Sequence, residues 1–67
     1  MTTDEKVVSF IRDKAINVSA LAEKMNMPYQ TAYDTFSGKG KRRKIKANEL
    51  LQFCSIYEIN PMLFRND

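Results

Sequence analysis

The stretch from residue 17 to residue 38 constrains the fold most, because it reads as two short helices separated by a tight turn. Leu21, Ala22 and Met25 are apolar at spacings of three and four, so they share one face of a helix with 3.6 residues per turn. Asn17 precedes them, and its side-chain oxygen is suited to accept hydrogen bonds from the unpaired N–H groups of a first turn. The pattern therefore predicts a short helix that begins after Asn17 and buries one apolar face.

The second half of the same stretch predicts the turn and the second helix. Asn26 falls where the first helix must end, and asparagine tolerates the left-handed backbone found there. Pro28 fits the first turn of a new helix, where its missing N–H loses no hydrogen bond. Ala32 and Phe36 then face inward, and Gly38 can end the helix in a left-handed conformation. A helix-turn-helix motif at about residues 17–37 is typical of DNA-binding proteins.

A strongly basic segment follows this motif directly. Residues 39–46 contain six of the chain's 11 basic residues and no acidic residue, which leaves five basic residues to face eight acidic ones elsewhere. Like charges at this density do not pack against one another, so we expect a solvated, mobile loop. Concentrated positive charge beside a helix-turn-helix motif favours a polyanionic partner.

The composition excludes most enzymatic and cofactor chemistry. The chain of 67 residues has no histidine and one cysteine, Cys54, which lies in an apolar helical pattern and is expected to be buried. This leaves no usual zinc ligand set and no disulfide within the chain. No apolar run approaches the roughly 20 residues that span a bilayer, and the acidic, polar start is unlike a secretory signal. We expect a single-domain, non-enzymatic cytoplasmic protein with no cofactor, no metal, no small-molecule substrate and no membrane association.

Three further helices are predicted outside the motif. The first is capped by Thr2 or Thr3 and runs to about residue 14 or 15. The fourth begins near Lys46 and turns a strongly apolar face inward, formed by Leu50, Leu51, Phe53, Cys54 and Tyr57. A last short helix follows a cap at Asn60 and a first-turn proline at Pro61, with the apolar residues Met62, Leu63 and Phe64. No strand pattern of useful length is present, so the expected fold class is all-α, with five helices around one core over residues 1–67.

These residues resemble the Cro/CI-type helix-turn-helix family. The likeness covers about residues 5–64 and is carried by the run from Leu21 to Met27, then by Thr31, Phe36, Ser37, Gly38, Leu50, Leu51, the Ile59-Asn60-Pro61 segment, Leu63 and Phe64. It is most specific in the motif, where the small Ala22 lies among apolar neighbours four residues before the turn. The resemblance implies a compact, lambda-repressor-like DNA-binding domain whose second motif helix, at about residues 28–37, enters the major groove.

The resemblance also implies which residues contact DNA. Base readout is expected from Tyr29, Gln30, Tyr33 and Asp34, with Gln30 bonding adenine through its amide. Asp34 either accepts from cytosine or pairs with a nearby cation, and Thr31 either contacts phosphate or packs under the helix. Phosphate contacts are expected from Asn17, Ser19, Thr31, Lys39, Lys41, Arg42, Arg43 and Lys44, which position the domain without specifying sequence.

Two features depart from the family pattern. Val18 stands where the family commonly has a glutamine that bonds phosphate, and the loop after Gly38 is longer and more basic than the usual short link. We interpret the added loop charge as compensation for the missing glutamine. Because a single domain of this size buries limited surface on DNA, a homodimer is expected at least on DNA, with the segment from Pro61 as the candidate contact.

The expected function is therefore a sequence-specific, double-stranded DNA-binding transcriptional regulator, Cro/CI-like and of phage or bacterial origin, that acts by occupying a promoter. An alternative is a protein-interaction module of the same fold, such as an antirepressor or antitoxin-like partner. Val18 and Asp34 would then be signs that the domain has lost the ability to read DNA. An RNA-binding domain is a third possibility, but the stacking aromatics on a sheet that such domains usually carry are not found in this sequence.

Overall fold

The computed structural model describes residues 2–65, which form four α-helices and one 3₁₀ helix and contain no strand. The α-helices are α1 (Thr3–Asp13), α2 (Val18–Lys24), α3 (Tyr29–Phe36) and α4 (Ala47–Ile56), and the 3₁₀ helix is Pro61–Phe64. The all-α prediction is confirmed for this part of the chain. The expected fifth helix is a single 3₁₀ turn, because four residues close only i→i+3 bonds such as Leu63 N–H to Asn60 C=O.

Three of the predicted helix starts are capped by the expected side chains. Thr2 accepts a hydrogen bond from the N–H of Glu5, whose carboxylate accepts from the N–H of Thr2 in return, a capping box that also lowers the pKa of Glu5. Asn17 Oδ1 accepts from the N–H groups of both Ser19 and Ala20, and Asn60 caps the 3₁₀ helix. Local side-chain chemistry therefore fixes where these elements begin.

Three of the helices end in the same way, with one residue in the left-handed conformation. That residue is Ala15 after α1, Asn26 after α2 and Glu58 after α4, with φ between 52° and 55°. In each case the next residue donates its N–H to the carbonyl five positions earlier and turns an apolar side chain towards the core: Ile16, Met27 and Ile59. The prediction for Asn26 is confirmed. The same turn forms at Ala15 and Glu58, although neither alanine nor glutamate favours the left-handed conformation.

One hydrophobic core joins all the elements. Its buried members come from the four α-helices, the C-cap of α2 and the 3₁₀ helix: Val7, Ile11, Leu21, Ala22, Met25, Ala32, Phe36, Phe53, Cys54 and Phe64. Phe53 lies at the centre of an aromatic cluster, with ring centroids 5.8 Å from Phe36, 6.1 Å from Phe64 and 6.4 Å from Phe10. The inward faces predicted for α2 and α3 are confirmed, and so is the burial of Cys54.

Fewer apolar side chains near the C-terminus are buried than the sequence pattern predicts. Leu51 was assigned to the inward face of α4, and this is wrong, because its side chain is 58% exposed. Residues 50, 53, 54 and 57 centre that face, and position 51 falls about 100° to one side of residue 50. Met62 and Leu63 are also more than half exposed, and only Phe64 of the last three apolar residues enters the core.

Candidate nucleic-acid interface

Helix α3 buries one side in the core and exposes the other. Ala32, Thr35 and Phe36 are buried, whereas Gln30 is exposed and Tyr29 is 53% exposed. Pro28 is the N-cap rather than the first helical residue, and it offers no side-chain cap to the first turn. The start of α3, where the resemblance places base contacts, is thus open to solvent.

The remaining predicted base-contacting residues are half-buried on the same helix. Tyr33 lies one turn after Tyr29, and the centroids of the two rings are 6.0 Å apart. Asp34 lies one turn after Gln30 and accepts a hydrogen bond of 3.0 Å from the Gln30 amide nitrogen. The four residues therefore form two i,i+4 pairs on neighbouring rows of the helix. Thr31 is half-buried beside them, and its carbonyl accepts from the hydroxyl of Thr35.

The basic loop, residues 39–46, is attached directly to α3. The N–H of Arg43 donates to the Asp34 carbonyl at 2.8 Å, and the N–H of Lys41 donates to Asp34 Oδ1 at 3.3 Å. Gly40 lies against the same helix, since a Cβ built there would be 2.4 Å from Asp34 Oδ1 and 3.2 Å from two ring carbons of Tyr33. The positive charge therefore lies beside the second half of α3, on the side that carries Tyr33 and Asp34.

The end of the loop is held by acidic side chains from two other helices. The N–H of Ile45 donates to Asp4 Oδ2 at 3.1 Å, and the N–H of Lys46 donates to Glu49 Oε1 at 2.9 Å. The loop was expected to be solvated and mobile. Most of its side chains are exposed, but its backbone is attached to the helices, because the N–H groups of residues 41, 43, 45 and 46 all have partners. The polar anchors lie outside the basic segment, which is why the charge pattern of that segment did not reveal them.

Arg43 differs from the other cations of the loop. Its guanidinium makes a two-point ion pair with Glu49 and also donates to the hydroxyl of the buried Thr35 at 2.9 Å. The hydrogen bonds of this pair lower the pKa of Glu49 and raise that of Arg43, and the attraction between the two charges adds to both shifts. Arg43 was expected to contact phosphate, but its donors are directed into the protein, where they join α3 to the start of α4.

The other predicted phosphate contacts of the loop are exposed: Lys39, Lys41, Arg42 and Lys44. Within residues 2–65 their side-chain nitrogens make no hydrogen bond or ion pair, so they can bind an anion without first breaking a contact. Asn17 and Ser19 lie at the start of α2, where Asn17 Oδ1 is occupied by capping and Ser19 is exposed. Their phosphate contacts stay predictions.

A small cleft separates the loop from the start of α1. Its volume is about 300 Å³, and its lining contains three acidic residues and three basic ones: Asp4, Glu5, Asp34, Arg42, Arg43 and Lys44. Such a lining favours neither an anion nor a cation. No group of side chains suited to hold a metal ion is found in the described residues, and burial raises the pKa of the Cys54 thiol, which disfavours the reactive thiolate.

None of the helices in the described part of the chain has the length and apolarity needed to cross a bilayer. Protein-family models, curated proteins and solved structures were each compared with the chain, and none of them matches it. The basis for a functional assignment is therefore the exposed side of α3 and the cations held beside it.

Proposed function

We propose that this chain is a non-enzymatic, sequence-specific double-stranded DNA-binding regulator with a lambda-repressor-like fold. In this proposal α3 enters the major groove, whose width accommodates an α-helix. Gln30 and Tyr29 reach base edges, and the exposed cations of the basic loop bind the flanking phosphates. The observation that carries the proposal is the attachment of the loop to α3 through Asp34, which brings the strongest positive charge beside an exposed helix face.

The division of labour within the loop follows from its contacts. Lys39, Lys41, Arg42 and Lys44 supply the phosphate contacts, and Arg43 fixes the loop through Glu49 rather than binding DNA. Each phosphate neutralised contributes about −0.9 to the slope of log affinity against log salt concentration, so four contacts predict a slope of roughly −3.6. Val18 packs against the core and has no hydrogen-bonding side chain, so the charged phosphate contacts come from the loop.

The proposal includes a homodimer that binds a two-fold operator. The proposed origin is bacterial or phage, and the proposed location is the bacterial cytoplasm or nucleoid. The two exposed apolar side chains of the 3₁₀ helix, Met62 and Leu63, support a contact between copies because their exposure to water is unfavourable in a monomer. The half-sites would then lie about one helical turn apart, so that both copies of α3 face the same side of the duplex.

The competing candidate is a protein-interaction module of the same fold. The observations that favour it are the exposed Leu51, Met62 and Leu63, which give a partner apolar area, and Asp34, whose negative charge lies near the proposed DNA surface. In that case the basic loop would bind an acidic protein surface, and duplex DNA would bind weakly or not at all.

Binding of a random-sequence duplex, measured at two salt concentrations, distinguishes a DNA-binding regulator from a protein-interaction module. The test variant is Arg42→Gln/Lys44→Gln, and Arg12→Gln/Lys14→Gln removes the same charge from exposed positions on and just after α1. The loop variant should bind more weakly and lose about 1.8 from the salt slope, whereas the α1 variant keeps the wild-type slope. Equal losses in both variants, or no DNA binding by the wild type at low salt, would refute the proposal.

A further inference from the structure

Asp34 holds two parts of the candidate interface at once. Its Oδ1 atom accepts from the side-chain amide of Gln30 at 3.0 Å and from the backbone N–H of Lys41 at 3.3 Å, while its backbone carbonyl accepts from Arg43 at 2.8 Å. One residue thus contacts both the side chain expected to read a base and the loop expected to bind phosphates.

We infer that Asp34 is a positioning residue that orients Gln30 and fastens the basic loop, and that it contacts no base itself. This inference rests on the proposed function, and it replaces the base contact expected for Asp34 from the sequence. Its consequence is a specific preference for adenine over guanine at the base pair read by Gln30.

The orientation of Gln30 follows from hydrogen-bonding capacity. An ionised carboxylate only accepts, so the amide nitrogen of Gln30 must face Asp34, and the amide oxygen is directed away from it. One N–H of that nitrogen is then occupied, and one N–H and the oxygen are left for a base. This is the donor and acceptor pair that the N7 and N6 atoms of adenine require.

Guanine is disfavoured by the same hydrogen bond. Its major-groove edge presents two acceptors, N7 and O6, and a glutamine amide can satisfy both only with two free N–H groups. With one N–H held by Asp34, Gln30 would have to break that bond or place its oxygen against O6. The hydrogen bond from Gln30 to Asp34 therefore favours adenine, whereas a glutamine with both N–H groups free could also bond guanine.

The packing at Gly40 supports the second role, that of fastening the loop. Gly40 has a φ of 68°, and a Cβ at this position would lie so close to Asp34 Oδ1 that the carboxylate would have to shift. Lys41 follows at once with its N–H directed at the same oxygen atom. The side chain of Asp34 thus fixes the point where the loop leaves α3, and the Arg43 hydrogen bond to the Asp34 carbonyl is independent of that side chain.

The first test uses the free protein and needs no DNA. In Asp34→Ala, the Lys41 amide should exchange its hydrogen several-fold faster with solvent, because its acceptor is gone. The Arg43 amide should keep its protection, because its acceptor is a backbone carbonyl, and unchanged protection of α3 interior amides shows that the variant is folded. Unchanged exchange at Lys41 in a folded variant overturns the fastening role.

The second test is a double-mutant cycle on DNA, using duplexes selected by the wild-type protein from a random pool. We expect the adenine-over-guanine preference at one position, about 5- to 150-fold for a good bidentate contact, to fall equally in Gln30→Ala, Asp34→Ala and the double variant. Asp13→Ala, which removes one negative charge from the exposed end of α1, should keep it.

Loss of preference at a different base pair in Asp34→Ala would mean that Asp34 reads a base directly, and unchanged preference would mean that it orients nothing; either result overturns the orienting role. A wild-type protein with no preference among duplexes overturns the proposed function. The Lys41 exchange result is obtained without DNA, so it distinguishes that failure from a failure of the loop attachment.

Discussion

Arg43 and Glu49 form a two-point ion pair, with Nη1 3.0 Å from Oε1 and Nη2 2.9 Å from Oε2 of the carboxylate. The pair is partly shielded from water, since the Glu49 side chain is only 12% exposed. It closes the basic loop against α3 and α4, so one cation of the segment maintains the structure while its neighbours face solvent. This difference between adjacent residues of like charge is directly testable.

Replacing Arg43 should destabilise the protein, whereas replacing Lys44 should not. Arg43→Gln leaves the shielded Glu49 carboxylate without its charged partner, which costs about 1–3 kcal/mol of the free energy of unfolding. Lys44→Gln removes the same charge from an exposed side chain and should change stability by less than about 0.5 kcal/mol. Urea denaturation of both variants measures the difference, and equal stability would contradict a structural role for the pair.

Stability should fall in acid through Glu49. Its pKa is lowered in the folded state, first by the Arg43 hydrogen bonds, from an ordinary value of 4.5. The stabilisation is therefore fully present above that value and is lost as the pH falls through the lower folded-state pKa. Unfolding free energies measured between pH 6 and pH 3 should decline less steeply in Glu49→Gln than in the wild type; parallel curves would exclude Glu49 as the group responsible.

A methyl group at Gly40 should disturb the loop attachment. In Gly40→Ala the new Cβ would meet Asp34 Oδ1 at 2.4 Å, and the left-handed φ of 68° adds a backbone cost of about 1–2 kcal/mol. The comparison is Lys39→Ala, at an exposed neighbour. Thermal melting should show a loss for Gly40→Ala alone, and a similar midpoint for both variants would mean that the loop does not lie against α3.

Phe64 and Leu63 are adjacent, but truncation of Phe64 should destabilise the protein far more than truncation of Leu63. Phe64→Ala removes a ring that is 2% exposed and packs on Phe10 and Phe53, which should cost about 3–5 kcal/mol. Leu63→Ala truncates a side chain that is 58% exposed and should cost little. Because the larger loss can unfold so small a domain, Phe64→Leu provides a milder replacement that should still be less stable than Leu63→Ala.

The exposed 3₁₀ helix side chains should matter for binding two half-sites but not one. Met62→Ser/Leu63→Ser removes apolar surface without touching the core, so binding to a duplex with a single half-site should be unchanged. On a duplex with two half-sites, the variant should lose the added affinity that contact between copies gives the wild type. Equal affinities on the two-site duplex would place the dimer contact elsewhere.

Most of the helical framework could be predicted from the sequence because its signals are local. The caps at Thr2, Asn17 and Asn60 and the turn at Asn26 are each decided by residues within a few positions. The ends of α1 and α4 were less visible, because Ala15 and Glu58 have no preference for the left-handed conformation they adopt. There the apolar residue that follows, Ile16 or Ile59, stabilises the turn by packing on the core.

The candidate site was harder to predict, because its geometry depends on contacts between segments. Gln30 and Tyr29 were expected from the family resemblance, and the basic loop from its charge. The Ile45 hydrogen bond to Asp4 joins residues far apart in sequence, and no local pattern could indicate it. Glu49 is only six residues after Arg43 and is the first acidic residue after the basic run, but a run of like charge by itself predicts exposed side chains and does not indicate an ion pair.

Because Phe64 lies near the end of the described residues, its ring joins the aromatic cluster late in synthesis. Its ring packs on Phe10 of α1 and Phe53 of α4, two members of the aromatic cluster that are separated by most of the chain. A nascent chain emerges from the ribosome N-terminus first, so the cluster stays open to water until residue 64 has cleared the exit tunnel. Folding should therefore be completed only after synthesis of this segment, and ribosome-bound chains halted before that point should remain sensitive to protease.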